Sequence, residues 1–284
     1  MKLIALGDNV IDLYENTGEC FPGGNAVNVA VHAARLGVQA EYLGAFGTDK
    51  LAAVICQALD ENGVDHSRCT VLPGKTTKTC NYEVLDGERH YLGITTGETW
   101  AGPLQITSAQ MEHLKTADLI VSSCNAKMPE QMAAVEALPA LFAYDFGEKD
   151  KYRTDAYYDE VCHGIDLAMF SCEPMTEAEF AALCAPLHRR GVVHVLATMG
   201  GAGQMLSVQG KILQKSIQKL HACDTMGAGD SFLAAFLCAL QAQGWQKGRP
   251  MSPQALEMAL VAGQTVSAEN CMQKGGFGSQ VQLS

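Results

Sequence analysis

Short, uninterrupted apolar runs alternate with amphipathic stretches along this chain, and that rhythm leaves few folds open to it. Leu3–Leu6, Glu41–Phe46, Leu119–Ser122, Leu141–Asp145, Leu167–Ser171 and Val192–Thr198 read as strands covered on both faces. Between them apolar residues recur at helical spacing. Asn25–Leu36 is a helix ended by Gly37, and a second runs from about Asp49 to Glu61 with a stop at Gly63. Thr176-Glu177-Ala178-Glu179 is a capping box opening a helix to about Arg190, and Ser252-Pro253 starts a last helix to about Ser267. Strands alternating with helices predict an α/β, doubly wound, mostly parallel sheet with helices on both faces. One stretch breaks the rhythm. Between Thr76 and Ile94, Thr, Tyr and Val residues flank Asp86-Gly87, the favoured two-residue hairpin turn. Such a hairpin cannot easily join a parallel core and is expected to project as a small β lid. No linker, repeat or low-complexity tract interrupts residues 1–284, so a single domain is expected.

At 284 residues and 48% hydrophobic content the chain has ample material for a core. A net charge of −11 argues against a nucleic-acid partner, which a basic patch would mark. The apolar stretch within Met1–Gly7 is too short for a secretory signal, and no run reaches membrane-spanning length. The eleven cysteines include no Cys-x-x-Cys pair and no tight cluster with His, so they read as small buried hydrophobes in a reducing cytoplasm.

Chemistry enters at Asp224-Thr225-Met226-Gly227-Ala228-Gly229-Asp230, which opens the apolar helical run Ser231–Leu240. The first N–H groups of a helix lack intrahelical partners and sit at the positive end of its dipole, a setting that holds phosphate. Asp230 should repel an anion there. It makes sense if it takes a proton from an incoming hydroxyl, which points to phosphoryl transfer to an alcohol. The same residues also suit an ordinary helix start, with Asp for the dipole and Gly for the turn. Two other nucleotide motifs are absent. Gly74-Lys75-Thr76 has Cys69 where a Walker loop needs Gly, and counting on from Gly227 and Gly229 reaches Phe232 where a dinucleotide fingerprint needs Gly.

With these residues in place the chain resembles the PfkB (ribokinase-like) carbohydrate kinases. Asp224–Asp230 resembles that family's carboxy-terminal signature. Gly23-Gly24-Asn25-Ala26-Val27-Asn28-Val29-Ala30, followed by Gly44-Ala45-Phe46-Gly47-Thr48-Asp49, resembles the amino-terminal one. Gly7-Asp8-Asn9, Ile11-Asp12, Tyr14, Asp145-Phe146 and Lys149 further resemble the fructoselysine 6-kinases within it.

The resemblance implies a β lid drawn from about residues 9–22 and 75–96, ATP bound by the carboxy-terminal half, and a sugar or sugar–amine substrate phosphorylated on a primary hydroxyl. Carried over by motif, Asp230 is the base, and Gly227, Ala228 and Gly229 steady the transferring phosphoryl. Asp8, Asp12, Gly23, Gly24, Asn25 and Asn28 are expected at the sugar. For Asp12 a turn cap, for Asn25 a helix N-cap and for Asn28 a solvent-facing helix position are the plainer readings. Arg89 on the hairpin is a candidate for a substrate carboxylate or an ordinary surface residue. Thr198, Gly200, Gly203, Thr225 and Asn270 are expected at the nucleotide. Asp224 is expected to serve a monovalent cation such as K⁺, and Glu177 to reach Mg²⁺ indirectly. The family's Asn-x-x-Glu pattern is broken in Ser171–Glu177, because Pro174 replaces the Asn and offers no side-chain donor or acceptor. Mg²⁺ is still expected, since ATP phosphates need charge neutralisation. Lid hairpins of this kind often pair two chains, so a homodimer is expected. Competing readings are a kinase for fructose, ribose or a nucleoside, and a catalytically silent relative that only binds sugar or nucleotide.

Overall fold

The computed structural model describes residues 1–85, 88–218 and 220–282, apart from the side chains of Val84, Glu88 and Arg89. The expected Asp86-Gly87 turn and the Arg89 side chain therefore lie outside the described residues. The first part of the chain runs β1 (Lys2–Leu6), β2 (Val10–Tyr14), β3 (Glu19–Gly23), α1 (Asn25–Arg35), β4 (Gln39–Leu43), β5 (Ala45–Phe46), α2 (Lys50–Glu61), β6 (Thr70–Val71), β7 (Thr79–Leu85) and β8 (Glu88–Thr95). The middle follows as α3 (Ser108–Leu114), β9 (Leu119–Ser123), α4 (Pro129–Glu136), β10 (Leu141–Asp145), α5 (Asp155–Val161), β11 (Leu167–Ser171) and α6 (Glu177–Arg189). Then come β12 (His194–Thr198), β13 (Gln204–Val208), β14 (Lys211–Lys215), α7 (Ala228–Ala242), α8 (Pro253–Asn270) and β15 (Val281–Gln282).

An eight-stranded sheet in the order β14-β13-β12-β11-β10-β9-β1-β4 forms the body among the described residues. From β4 to β12 its pairings are parallel, and β13 and β14 close one edge antiparallel. The expected α/β architecture is thus present. Alternation in β1 explains why its run is apolar throughout. Leu3 and Ala5 join the core that contains Val27, Phe232 and Leu260, whereas Ile4 and Leu6 join the one with Met132, Phe170 and Phe180. Each face buries its own layer, so neither set of alternate residues can be polar.

A second, five-stranded sheet in the order β15-β3-β2-β7-β8 forms the lid. Its β7–β8 hairpin was legible from the sequence, and the two-residue strand β15 was not. Glu41–Phe46, expected as one strand, divides at Gly44. There β4 stays with β1, while β5 pairs with β6 in a separate two-stranded sheet. The Tyr42 ring folds back over Gly44, with its hydroxyl donating to Gly7 O at 2.8 Å, and a side chain at position 44 would collide with it. The last helix passes Ser267 and ends at Asn270. Among the described residues no helix is long and apolar enough to cross a membrane.

Candidate active site

Helix α7 begins on a turn that three side chains or chain segments hold from below. Asp224 Oδ1 accepts from Met226 N at 3.0 Å, and Asp224 Oδ2 accepts from Gly275 N at 2.9 Å. Asn270 Nδ2 donates to Met226 O at 2.9 Å. Gly227 caps the helix at φ 67°, and a Cβ there would stand 2.6 Å from Gly276 O. Only glycine combines that left-handed backbone with so close an approach. The Gly229 amide is thereby presented at a fixed place, at the positive end of the dipole, whereas the Ala228 amide, expected at a phosphoryl group, donates to Thr225 O at 3.2 Å within the turn.

Asp230 stands in the first turn of α7 and is 8% exposed. Asn25 Nδ2 donates to its Oδ1 and Asn28 Nδ2 to its Oδ2, each at 2.7 Å. Both asparagines come from α1, so neither plainer reading holds. Gly24, not Asn25, is the N-cap of that helix, and Asn28 is buried. Gly24 takes φ 107° because a Cβ would meet Asp8 O at 2.8 Å, which brings the start of α1 against the end of β1. Burial pushes the Asp230 carboxyl up to about 6, against the pull of the two amides, which favour the ionised form. The result is a carboxylate close to half-protonated under mildly acidic conditions and held in one orientation.

Further acids surround it. Asp145, the last residue of β10, lies 3.5 Å from Asn25 Nδ2, and burial followed by the nearby Asp230 raises it to about 7. Asp8 is 2% exposed and raised by burial. Lys78 Nζ lies 3.7 Å from its Oδ2, and its Oδ1 has no hydrogen-bond partner. Asp12 Oδ2 and Asn28 Oδ1 each lie 3.4 Å from the Cβ position of Gly23, so Asp12, Gly23 and Asn28 meet at one place. Asn125 Nδ2 completes the ring by donating to Asn25 Oδ1 at 2.5 Å. Asn125 and Lys78 were not among the expected site residues, and Asp145 carried no assigned role. Asn125 and Asp145 follow or end strands at the carboxyl edge of a parallel sheet, where α/β proteins bind ligands, and that position is the signal that could have found them.

On the other side of the α7 turn opens a cleft of about 1570 Å³, whose lining includes Thr198, Gly200, Thr225, Ala228 and Gly229. Gly203, Asn270, Glu177 and Asp224 are absent from its wall; all but Glu177 are engaged elsewhere. Gly203 takes φ 97° beside Lys215 O, where a side chain would collide with the β14 backbone. Asn270 is buried and clamps Met226, while its Oδ1 accepts from Gln273. Glu177 is exposed at the first position of α6, and the capping box is made by Thr176 with Glu179. Asp224 is a clamp joining the turn to the loop at Gly275. Pro174 does line the cleft, as do the carboxylate-bearing Glu148, Asp150 and Glu173.

Asp230 therefore stands among buried amides and acids, at the start of a helix whose first residues, Ala228 and Gly229, line the cleft. The family model for pfkB family carbohydrate kinases matches residues 1–280. A fructosamine kinase, FrlD of Bacillus subtilis (strain 168), is 30% identical over 279 residues, covering 98% of this chain and 93% of that protein. Fructoselysine 6-kinase of Escherichia coli (strain K12) is also 30% identical, covering 90% of this chain and 94% of its own. In fold, the chain resembles Arabidopsis thaliana ribokinase complexed with ribose and ATP, with a TM-score of 0.75 at 23% identity, covering 93% of this chain and 91% of that one.

Proposed function

This chain belongs to the pfkB family of carbohydrate kinases, and on that premise we propose that it transfers the terminal phosphoryl of ATP to a primary hydroxyl of a sugar–amine adduct, with Asp230 as the base. The observation that carries the reading is the orientation of Asp230. Two amides grip its oxygens at 2.7 Å, at the first turn of a helix whose first residues line a large cleft. Phosphoryl transfer asks little covalent chemistry of a protein, so positioning and charge stabilisation dominate. Asp230 takes the hydroxyl proton, Asn25 and Asn28 hold the carboxylate in line, and the Gly229 amide faces the transferring group, the Ala228 amide being given to Thr225 O. Asp8 and Asp12 accept from sugar hydroxyls, and charged acceptors make the stronger hydrogen bonds there.

The cleft suits ATP with Mg²⁺. Thr198, Gly200 and Thr225 offer polar groups and open backbone along it, and Glu148, Asp150 and Glu173 offer single carboxylates, not grouped as a three-ligand site among the described residues, to an Mg²⁺ that phosphate oxygens would mainly hold. Mg²⁺ bound there with the triphosphate supplies charge neutralisation. For K⁺ the fit is poor at Asp224, whose two oxygens are engaged by backbone amides, and no step is assigned to it.

Two considerations favour an adduct over a free sugar. Relatives at 30% identity are named as fructosamine and fructoselysine kinases. Asp8 and Asp145 are buried carboxyls beside Asp230, and Asp8 keeps its Oδ1 without a hydrogen-bond partner among the described residues while Lys78 approaches its Oδ2, a setting that suits a substrate carrying an ammonium beside its sugar. The test is a panel of fructose, ribose, a nucleoside and several fructosamines with ATP, with the phosphorylated position read by NMR. Turnover is expected to be greatest on a fructosamine. Efficient turnover of free sugars alone would remove the adduct.

A homodimer through the lid is part of the same reading. Strand β8 is a sheet edge and exposes Tyr91, Leu92 and Ile94, and an apolar unpaired edge invites a partner. Sedimentation should give twice the chain mass. A monomer at micromolar concentration would discard the pairing.

A further inference from the structure

The turn Cys124–Ala126, which carries Asn125 to the ring around Asp230, has a second side. There a cavity of about 350 Å³ is lined by Cys124, Lys127, Met128, Pro103, Tyr152 and Tyr157, among others. Lys127 is held at φ 52°, ψ 44°, a left-handed conformation disfavoured for any residue with a Cβ. Among the described non-glycine residues only Gln209 shares a positive φ. Strain of this kind persists where surrounding structure enforces it and clusters at ligand sites.

Lys127 has no acidic partner to explain its placement. Its Nζ donates to Trp100 O at 2.9 Å, and no carboxylate lies within ion-pair distance among the described residues. Lys151 is placed similarly, 4.7 Å from the centre of the Tyr152 ring. The cavity also lies close to the floor acids: Cys124 on its wall has its Sγ 3.3 Å from the Cβ position of Gly147, whose amide donates to Asp145 Oδ1 at 2.8 Å. Burial lowers the Lys127 pKa first, Lys78 and Lys151 lower it further, and Asp8 opposes them. Lys78 is itself the lysine that approaches Asp8. The site thus has an acidic floor and aromatic and methionine walls, and Lys127 is the one cation and Glu130 the one carboxylate among the described residues that line the cavity.

A neutral sugar uses only the floor. We propose that the cavity beside Lys127 receives the substituent borne on the amine of the acceptor, and that this substituent is an alkyl chain ending in a carboxylate held by Lys127. The assignment rests on the adduct reading above and deepens it. The ammonium then sits by Asp8 and Asp145, the methylenes lie against Tyr152, Tyr157 and Met128, and the carboxylate meets the one cation on the cavity wall.

The test compares two fructosyl adducts that differ only in terminal charge, those of ε-aminocaproate and of its carboxamide. The native enzyme should prefer the carboxylate adduct by about tenfold or more in kcat/KM, the worth of one charge-assisted hydrogen bond. Lys127→Gln keeps a donor for Trp100 O and should bring that ratio close to unity, mainly through KM, whereas Lys127→Arg should retain a preference. If the native enzyme uses both adducts and Lys127→Gln leaves their ratio unchanged, the subsite is wrong and the adduct reading stands. If the native enzyme phosphorylates free sugars and neither adduct, both fall together.

Discussion

Asp230→Asn is expected to lower kcat by about 10²- to 10⁴-fold, the usual contribution of a positioned base. An amide cannot take the hydroxyl proton, while the shape of the site is kept. Folding should survive. The carboxyl of Asp230 is raised to about 6 in the folded protein, above its ordinary value of 3.8. The native state therefore binds this proton more tightly than the unfolded chain does. The carboxyl's contribution to stability is present at low pH and is lost as pH rises from about 4 through about 6. Near pH 8 the ionised buried group is a burden that the Asn variant lacks. Against that, one of the Asn25 and Asn28 donors loses an acceptor, at about 1–3 kcal/mol. The two effects oppose, and the melting temperature should stay within a few degrees of the native value. The native enzyme should also show a kcat/KM limb that falls as pH drops through about 6. A folded Asp230→Asn variant with native turnover would remove this residue from catalysis.

Gly227→Ala should be nearly as damaging for a different reason. The new methyl group would stand 2.6 Å from Gly276 O on a backbone at φ 67°. An L-residue in that conformation costs about 1–2 kcal/mol before any collision. Relief requires the turn and the Gly275–Gly276 loop to part. The Gly229 amide then moves away from the transferring group, and losing a preorganised donor of that kind typically costs about 10²–10³-fold in turnover. Binding of ATP should weaken along with kcat, whereas binding of the sugar should change little. Isothermal titration with each ligand separately checks this. Unchanged turnover and ATP affinity in Gly227→Ala would show that the cradle does not depend on this glycine.

Much of the fold could be read from local pattern. Leu141–Asp145 and Leu167–Ser171 are strands at their expected limits, and the capping box at Thr176 is made as written. The expected helix at Asn25 and the helix start at Gly227 are also in place. Where local reading failed, a distant neighbour intervened. Glu41–Phe46 is broken at Gly44 by the Tyr42 ring, whose hydroxyl is held by Gly7 O just past the end of β1. Tertiary contacts also set what Gly203 and Asn270, expected at the nucleotide by resemblance, touch in the fold: the β14 backbone lies against the first, and the second donates to Met226 O. Asp224 likewise serves the Gly275 loop, 51 residues on.

Periodicity and capping act over three or four residues, so the alternation of strands and helices and the small-residue turn before Asp230 were decided by neighbours along the chain. The grip on Asp230 was not. Asn25 and Asn28 lie 205 and 202 residues away from it, and Asn125 reaches Asn25 across 100. Which polar side chains meet depends on which strands lie side by side in the sheet, and that order follows from burying both faces of the whole body at once. No short window of residues contains that information.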